Sequence, residues 1–253
     1  MRIRWLSATV AFGFATIGAT CASAADIKVL SVPFKSPLDQ IAPAFERETG
    51  HRLVIKYAPS EPLLKQIDSG EPFDVVLTFP RHVDDLIKQN RVAVGSRVDI
   101  ARAGLGVAVK RGSEKPDVRS VAEFRKMLLR AKSIAYAAQG PSGLHLASLL
   151  DRLEVAQEVK PKLRPMAAGS LVVGPVARGE AEIGIVSIPF ILAESGAELA
   201  GPLPSELQDY VHYSSGIGSS PHDADAAKAF VSYLRRPKSI EVMTSNGLDA
   251  GPR

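Results

Sequence analysis

The chain has few of the residues that carry thiol or redox chemistry. Its 253 residues include one cysteine, Cys21, and one tryptophan, Trp5. Both precede residue 25, so a chain shortened to begin there would contain no thiol. Such a chain would have no disulfide bond, no thiolate nucleophile and no cysteine ligand for a metal.

The beginning of the chain has the three parts of a secretory signal peptide. Arg2 and Arg4 precede a long apolar segment, and the small-residue triplet ASA (22–24) follows it. This pattern predicts export to the periplasm, with cleavage after Ala24. Two alternatives stay open. One is an N-terminal membrane anchor, for which the apolar segment is short, and the other is lipid anchoring through Cys21.

Charge and motif content argue against several other classes of protein. Lys and Arg number 31 against 27 Asp and Glu. The two signs are interspersed and no basic stripe with interleaved aromatic residues occurs, so we expect no nucleic-acid partner.

Neither a G-x-S-x-G nucleophile motif nor a P-loop is present. We expect no cofactor and no metal, because the histidines show no metal-ligand spacing; they are His51, His82, His145, His212 and His222.

The first third of the chain alternates short apolar runs with helical patterns. DIKVLSV (26–32), HRLVIKYA (51–58) and FDVVLTF (73–79) are predicted strands, and a helix is predicted after each. The first helix is expected to have Ser36 as its N-cap and Pro37 at its first position. This β-α-β-α-β-α order predicts a mainly parallel sheet with helices on both faces.

A second α/β unit follows the first. GLGVAVKRG (104–112), SIAYAA (133–138), LRPMAA (163–168) and EIGIVSI (182–188) are predicted strands, and GPSG (140–143) is expected to be a turn before a helix. A further predicted strand, YVHYSSGIG, and two terminal helices have no sheet of their own, so we expect the chain to return to the first unit. The predicted boundaries are 1–24 for the signal peptide, 25–104 for the first part of lobe 1, 105–210 for lobe 2 and 211–253 for the return to lobe 1.

Six segments spread over most of the chain give the sequence a family resemblance. In their order, and on these predicted elements, they resemble the type 2 periplasmic solute-binding proteins, and within them the molybdate-binding proteins of ABC importers. The spacing KQI..GEPFDVV and the end segment AFVSYL..P are the parts most typical of that branch. The segments are IAPAFERETG (41–50), LLKQIDSGEPFDVVLT (63–78), GLGVAVKRG (104–112), GPSGLHLASLLDRL (140–153), VARGEAEIGIVSI (176–188) and KAFVSYLRRPKSIEVMTSNG (228–247).

The resemblance implies an α/β fold of two lobes, the periplasmic binding protein type 2 architecture. Each lobe is expected to be a mostly parallel sheet flanked by helices, with two crossings at the hinge. The lobes would close on a small solute and deliver it to the membrane permease of an ABC importer, without catalysis. Helix N-termini at the strand ends suit an anion and need no bound metal. We expect the protein to be a monomer.

The sequence departs from the molybdate-binding branch where its ligand loops lie. The resemblance implies serine hydroxyls and main-chain N–H groups from four loops around a tetrahedral oxyanion. The first serine falls at Pro33, Glu61 stands beside Ser60 in the second loop, and Ser187 replaces a tyrosine that often closes the site. The remaining loop reads AG (168–169), where an acidic-Val pair is usual. We therefore expect a small anionic or polar organic solute in place of molybdate or tungstate.

The candidate ligand-binding residues lie at the predicted strand ends. Lys35 is expected to supply a point charge for a carboxylate or phosphate, and Glu61 to recognise a cationic or hydroxyl end of the solute. Phe34 and Phe79 would suit an apolar or aromatic body. Two alternatives are equally open: Lys35 is a solvated loop residue, and Phe34 and Phe79 are core residues. The full set is Phe34, Lys35, Ser36, Ser60, Glu61, Thr78, Phe79, Gln139, Ser142, Ser170 and Ser187.

Two other functions stay open at this point. One is a genuine molybdate- or tungstate-binding protein. If the first loop is aligned with the family differently, a serine falls at the first ligand position in place of Pro33. The other is a periplasmic enzyme on the same fold, such as a lyase or isomerase that uses Lys35 or Glu61.

Overall fold

The computed structural model describes residues 24–250. The predicted signal peptide lies outside these residues except for Ala24, and so does Cys21. Among the described residues, no helix is long and apolar enough to span a bilayer. The elements are β1 (Asp26–Ser31), α1 (Lys35–Thr49), β2 (Arg52–Tyr57), α2 (Ser60–Asp68), β3 (Val75–Thr78), α3 (Pro80–Lys88), β4 (Val98–Lys110), α4 (Val121–Arg130), β5 (Ile134–Ala137), α5 (Pro141–Arg152), α6 (Ala156–Val159), β6 (Leu163–Met166), α7 (Val173–Arg178), β7 (Ile183–Ser187), α8 (Ile188–Leu192), β8 (Ala197–Pro202), β9 (Tyr210–Ile217), α9 (Ala224–Leu234), α10 (Pro237–Ser245) and β10 (Asp249–Ala250).

The first three strands form the parallel sheet that the sequence predicts. β1 lies between β2 and β3 and is parallel to both, with Val29 opposite Ile55 on one side and Val75 on the other. All residues of β3 are buried, and so are residues 29–31 of β1. Burial on both faces is typical of parallel strands covered by helices. The β-α-β-α-β-α order predicted for this part of the chain is confirmed.

β4 links this sheet to a second one. It is 13 residues long, and its partner changes along its length. Residues up to Gly104 pair with β9, whereas residues from Leu105 pair with β7 and β8. We call β2, β1, β3, β9 and the first part of β4 the first half-sheet. The second half-sheet is the remainder of β4 with β7, β8, β5 and β6, and the two halves form one continuous path, β2-β1-β3-β9-β4-β7-β5-β6.

The second half-sheet is built like the first. β5 lies between β6 and β7 and is parallel to both, while β4 and β8 are antiparallel to each other at its other side. The chain then returns through residues 203–209 to β9, which is antiparallel to β3 and β4. The result is an α/β fold in which the chain crosses between the half-sheets twice, as the sequence predicts. The expectation of two mostly parallel sheets is wrong, because β4 and β9 pair antiparallel with their neighbours and join both halves into one mixed sheet.

The two terminal helices pack against α1. The ring of Phe45 in α1 meets the ring of Phe230 in α9 edge-on, with centroids 5.2 Å apart, and that of Tyr233 at 5.3 Å. The hydroxyl of Tyr233 also donates a hydrogen bond to the Glu48 carboxylate at 2.9 Å. The last turns of the described chain are therefore held on the first half-sheet by both apolar and polar contacts.

The predicted start of α1 is wrong. The helix begins at Lys35 with Phe34 as its N-cap, so Ser36 is not the cap and Pro37 is the third helical residue. Phe34 takes the cap position because its ring is buried in the core, with 5% of the residue exposed. The Ser36 hydroxyl donates instead to the Asn246 side chain at 2.5 Å.

Three other predictions also need correction. GPSG is not a separate turn, because α5 begins at Pro141 with Gly140 as its N-cap. β4 starts at Val98, six residues before the predicted strand, and the polar residues Asp99 and Arg102 interrupt the apolar pattern there. β8 and α8 were not among the predicted elements, since neither has a regular alternation of apolar residues.

α5 approaches the end of β5 so closely that a side chain cannot fit between them. A Cβ atom added to Gly143 would lie 1.7 Å from the carbonyl oxygen of Ala137 and 2.9 Å from its carbonyl carbon. Gly140 supplies the sharp turn just before, at a φ of 91° that favours glycine. The two glycines therefore allow a helix N-terminus to lie directly against the carboxyl end of a strand.

Substituting Gly143 tests this packing. We expect Gly143→Ala to lower the free energy of unfolding by more than about 2 kcal/mol, because backbone must move to admit the methyl group. Gly174→Ala in α7 is a matched control, since its Cβ would meet only the flexible Arg178 side chain, at 3.2 Å. That variant should be unchanged or about 1 kcal/mol more stable. Urea unfolding measures both, and equal losses would contradict the close approach.

Candidate functional site

Helices begin directly after the carboxyl ends of the strands in both half-sheets. In the first half-sheet, α1, α2 and α3 follow β1, β2 and β3; in the second, α5 follows β5 and α8 follows β7. The first N–H groups of a helix have no partner within the helix and carry the positive end of its dipole. These strand ends therefore form an environment that favours an anionic ligand.

Three aromatic residues, which we call the aromatic cluster, lie together at these strand ends. They are Phe34, the N-cap of α1, Phe79, the N-cap of α3, and Tyr213 of β9. The ring of Tyr213 is 5.1 Å from that of Phe34 and 5.9 Å from that of Phe79, measured between centroids. Phe34 is a core residue, whereas Phe79 is partly buried. Because Phe34 and Tyr213 are each only 5% exposed, Phe79 is the member of the cluster that presents apolar surface beside the helix N-termini.

Tyr213 lies close to a residue of the second half-sheet, Ser187. It lies opposite Ala101 in the first part of β4, whereas Ser187 lies opposite Leu105 in the second part. Burial raises the pKa of Tyr213 above its ordinary value, and the neighbouring Ser187 hydroxyl acts in the opposite direction. Sequence reasoning did not single out Tyr213; the available signal was its position between two apolar residues of an alternating strand.

Lys35 lies on the outer side of the α1 N-terminus. Its ammonium group is 2.5 Å from the Asp39 carboxylate, and 68% of its side chain is exposed. It also lies 5.6 Å from the centre of the Tyr57 ring. Burial, and then the neighbouring Asp39 carboxylate, raise the pKa of Tyr57 above its ordinary value. The predicted point charge is thus present at the edge of the site, already paired with a carboxylate.

Ser36 connects the start of α1 to the end of α10. The side-chain oxygen of Asn246 accepts a hydrogen bond from the Ser36 hydroxyl. The same oxygen lies 3.3 Å from the Gln40 side-chain nitrogen. The next residue, Gly247, packs so closely on α8 that an added Cβ would lie 2.9 Å from side-chain carbons of Ile188 and Leu192. The α1 N-terminus is therefore attached, through the end of α10, to a helix of the second half-sheet.

Ser60 and Glu61 are the first two residues of α2. Ser60 is half-buried and Glu61 is exposed. The Glu61 carboxylate acts electrostatically on His82, in the first turn of α3, and raises its pKa. Glu61 and His82, from two neighbouring helix N-termini, are therefore close enough to interact electrostatically.

His82 is a site residue that sequence reasoning missed. Its Nδ1 lies 3.2 Å from the Thr78 hydroxyl, and its ring centroid is 5.4 Å from that of Phe79. Burial lowers the pKa of His82 below 6.5, against the opposing effects of Glu61 and Asp85. A sequence signal did exist, because residues in the first turn after a predicted strand lie where ligands bind in open α/β sheets.

An ion-pair network holds the helix that carries His82. Arg97 donates to both carboxylate oxygens of Asp84 in α3 at 2.8 Å, and also to Asp99 at 3.1 Å. The Ser214 hydroxyl donates to Asp99 at 2.6 Å. Burial raises the pKa of Asp99, but the hydrogen bonds from Ser214 and Arg97 outweigh that effect and leave it below its ordinary value. α3 is thus fixed to β4 and β9.

The candidate residues of the second half-sheet lie at three strand ends. Gln139 is exposed in the turn after β5, and Ser142 is buried in the first turn of α5. Ser170 is exposed in a single turn of 3-10 helix, Gly169–Leu171. Ser187 is 2% exposed. Of these residues, Ser187 lies next to Tyr213, a member of the aromatic cluster in the first half-sheet.

Two further features lie apart from these strand ends. A surface groove of about 820 Å³ runs between residues 115–119 and β8, and none of the candidate residues lines it. Its Arg119 and Lys115 side chains are paired with Asp117 and Glu198. Within residues 24–250, no group of three or more His, Cys, Asp or Glu side chains is arranged to hold a metal ion.

The Tyr213–Ser187 contact can be measured by a double-mutant cycle. Tyr213→Phe and Ser187→Ala should each lower the free energy of unfolding by about 1 kcal/mol, because each removes one of two neighbouring hydroxyls on buried residues. The double variant should lose less than the sum, with a coupling of about 1 kcal/mol. Ser239→Ala is the control partner, because the Ser239 hydroxyl donates to the Tyr233 carbonyl at 2.8 Å. Additive losses for Tyr213 and Ser187 would contradict the contact.

Comparison with known proteins places this fold and sequence in a family. Residues 29–249 match the model of the bacterial extracellular solute-binding proteins. The chain is 32% identical over 219 residues to an aconitate isomerase of a Pseudomonas species, covering 84% of this chain and 83% of that protein. It is 29% identical over 238 residues to the molybdate-binding protein ModA of Azotobacter vinelandii, covering 90% and 92%.

A solved structure shows the same fold. The periplasmic molybdate-binding protein of Azotobacter vinelandii superposes with a TM-score of 0.75 at 24% sequence identity, over 90% of this chain and 100% of that one. The resemblance recognised in the sequence is confirmed by both the sequence and the structural matches. The chain belongs to the family of bacterial extracellular solute-binding proteins.

Proposed function

We propose that this protein is an exported receptor that captures a small organic carboxylate between two lobes. It then delivers the solute to the membrane permease of an ABC importer. The observation that carries this proposal is the set of helix N-termini at the strand ends, with the partly buried ring of Phe79 beside them. The N-termini suit the carboxylate groups of the solute, and the exposed part of the Phe79 ring suits its carbon skeleton.

The two lobes are residues 25–104 with 211–253, and residues 105–210. The change of partner in β4 between Gly104 and Leu105 supports this division, because the chain leaves one half-sheet for the other at that point. The lobes would close about β4 and the returning segment at residues 203–209. Closure removes water from the solute and increases the strength of its polar contacts.

An organic carboxylate fits the strand ends better than a bare tetrahedral oxyanion. Pro33 has neither an N–H nor a hydroxyl to offer an oxyanion. Ser187 is 2% exposed, so its hydroxyl has little surface to present to a ligand. Molybdate or tungstate is the alternative ligand, and the relative from Azotobacter vinelandii supports it by name.

Export and the importer partnership come from family membership and the start of the sequence. The family model describes extracellular proteins, and the N-terminal pattern of the sequence favours cleavage after Ala24 and release into the periplasm. The protein would act as a monomer that contacts a permease and no nucleic acid. The candidate contacts to the solute are the residues predicted from the sequence except Thr78, which is fully buried, and we add His82 and Tyr213.

A second candidate function is isomerisation of the captured carboxylate. The similarity to an aconitate isomerase at 32% identity supports it, and so does the half-buried His82 beside Glu61. In this case the ligand would be an unsaturated tricarboxylate. Binding of such a ligand is common to both candidates, so it is the property to test first.

The ligand class can be tested with citrate, cis-aconitate, trans-aconitate, molybdate and sulfate. We expect at least one tricarboxylate to raise the melting temperature, because a ligand that binds only the folded state stabilises it by about 2.7 kcal/mol at one hundred times its Kd. Differential scanning fluorimetry and calorimetric titration measure this. Stabilisation by micromolar molybdate, with no effect of any tricarboxylate, would contradict the proposal.

The role of Lys35 can be tested with a paired control. We expect Lys35→Ala to weaken tricarboxylate binding about fivefold, the effect of losing an exposed charge interaction of roughly 1 kcal/mol. Lys228→Ala is the control, because Lys228 is also an exposed helical lysine paired with a nearby aspartate. Equal affinity of the two variants would remove Lys35 from the site.

A further inference from the structure

Glu61 and His82 lie at two neighbouring helix starts and are close enough to interact electrostatically. We propose that His82 transfers a proton: its imidazole removes a proton from a carbon atom next to a carboxylate of the bound solute, and Glu61 stabilises the imidazolium that forms. This inference rests on the proposed function, because it requires a small carboxylate in the site.

The geometry fixes one face of the His82 ring and leaves the other side available. Nδ1 is held 3.2 Å from the hydroxyl of Thr78, which is fully buried at the end of β3. The Phe79 ring lies against the imidazole at a centroid distance of 5.4 Å. A base whose second nitrogen is oriented by another group is the arrangement found in activated catalytic histidines.

The hydrogen bond to Thr78 is compatible with the tautomer that suits a base, because the Thr78 hydroxyl can accept the proton of Nδ1. With the proton on Nδ1 donated to the Thr78 hydroxyl, Nε2 keeps its lone pair and can accept a proton from the ligand. Thr78 is then a positioning residue, since it does not itself touch the ligand. The Phe79 ring limits rotation of the imidazole about this hydrogen bond.

The charged groups around His82 determine when it can act as a base. Glu61 of α2 and Asp85 of α3 raise its pKa, whereas burial and Arg81 of α3 lower it, and the balance is below the ordinary value of 6.5. The imidazole is therefore neutral near pH 7. Once it accepts a proton, the two carboxylates stabilise the cation.

The reaction needs no other reactant. In a carboxylate with a CH2 group next to a C=C bond, Nε2 takes one CH2 proton and the C–H electron pair spreads over the double bond and the adjacent carboxylate. The double bond moves by one carbon when the imidazolium returns the proton to the far carbon. One C–H bond breaks, another forms, and nothing is oxidised or reduced. The helix N-termini at the strand ends stabilise the added negative charge during the step.

Lys35 is less suited to this role. Its ammonium group is paired with Asp39, and the side chain is mostly exposed. Glu61 lacks the oriented hydrogen bond that His82 makes, and its carboxylate is also exposed. Of the polar groups considered at the first half-sheet, His82 alone combines partial burial, an orienting hydrogen bond and a neighbouring carboxylate.

The test is proton exchange in the two unsaturated tricarboxylates of the binding panel. Each is incubated with wild-type protein in D2O, and proton NMR follows deuterium entry at the CH2 and vinyl positions and interconversion of the isomers. His82→Gln should slow exchange at least about 100-fold, the usual effect of losing a general base. Its calorimetric affinity should stay within about threefold of the wild type.

Controls separate catalysis from structure. His222→Gln should leave exchange unchanged, because His222 is exposed and its main chain contacts Asp74 at the opposite end of β3. Thr78→Val should lower kcat about tenfold with little change in KM. The wild-type kcat/KM should fall tenfold per pH unit below the pKa of His82, which lies under 6.5, because protonation removes the base. His82→Asn is a second variant, used if His82→Gln does not fold.

The outcomes distinguish the two proposals. Wild-type protein that binds a tricarboxylate without accelerating its exchange overturns this inference and leaves the proposed function in place. Exchange that is equally fast in His82→Gln overturns the assignment to His82. If no tricarboxylate binds, the proposed function fails, and this inference fails with it.

Discussion

One strand, β4, holds both halves of the sheet in a single hydrogen-bonded structure. Gly104 is paired with Tyr210 of the first half-sheet, and the next residue, Leu105, with Ser187 of the second. Gln208 fills the gap between β9 and β8, since its side chain accepts from the Leu105 N–H at 2.7 Å and donates to the Leu105 carbonyl at 3.0 Å. Because the change of partner occupies one peptide unit, the positions of the two half-sheets along β4 are closely determined.

This constraint explains how distant parts of the chain meet at the candidate site. Tyr213 and Ser187 are paired with β4 residues four positions apart, or about 13 Å in an extended strand. The proximity of the two residues therefore depends on the register of β4 and on how the sheet curls, and neither can be inferred from the residues in isolation.

The sequence predicts regular elements well and their exceptions poorly. β1, β3 and α3 have uninterrupted patterns, and the structure has them close to where the patterns end. The first part of β4 was missed because Asp99 and Arg102 make it look polar; in the folded protein Asp99 is satisfied by Arg97 and Ser214. The predicted start of α1 lies two residues too late, because burial of Phe34, a tertiary effect, outweighs the local preference of serine for the cap position.

The candidate site shows the same division between local and tertiary information. The strand ends themselves were predictable, since each precedes a helix in the sequence. The meeting of Phe34, Phe79 and Tyr213 was not, because it joins three elements that are remote in the chain. His82 was set aside because the spacing of histidines tests for metal sites, whereas its importance comes from a hydroxyl four residues earlier and a carboxylate on another helix.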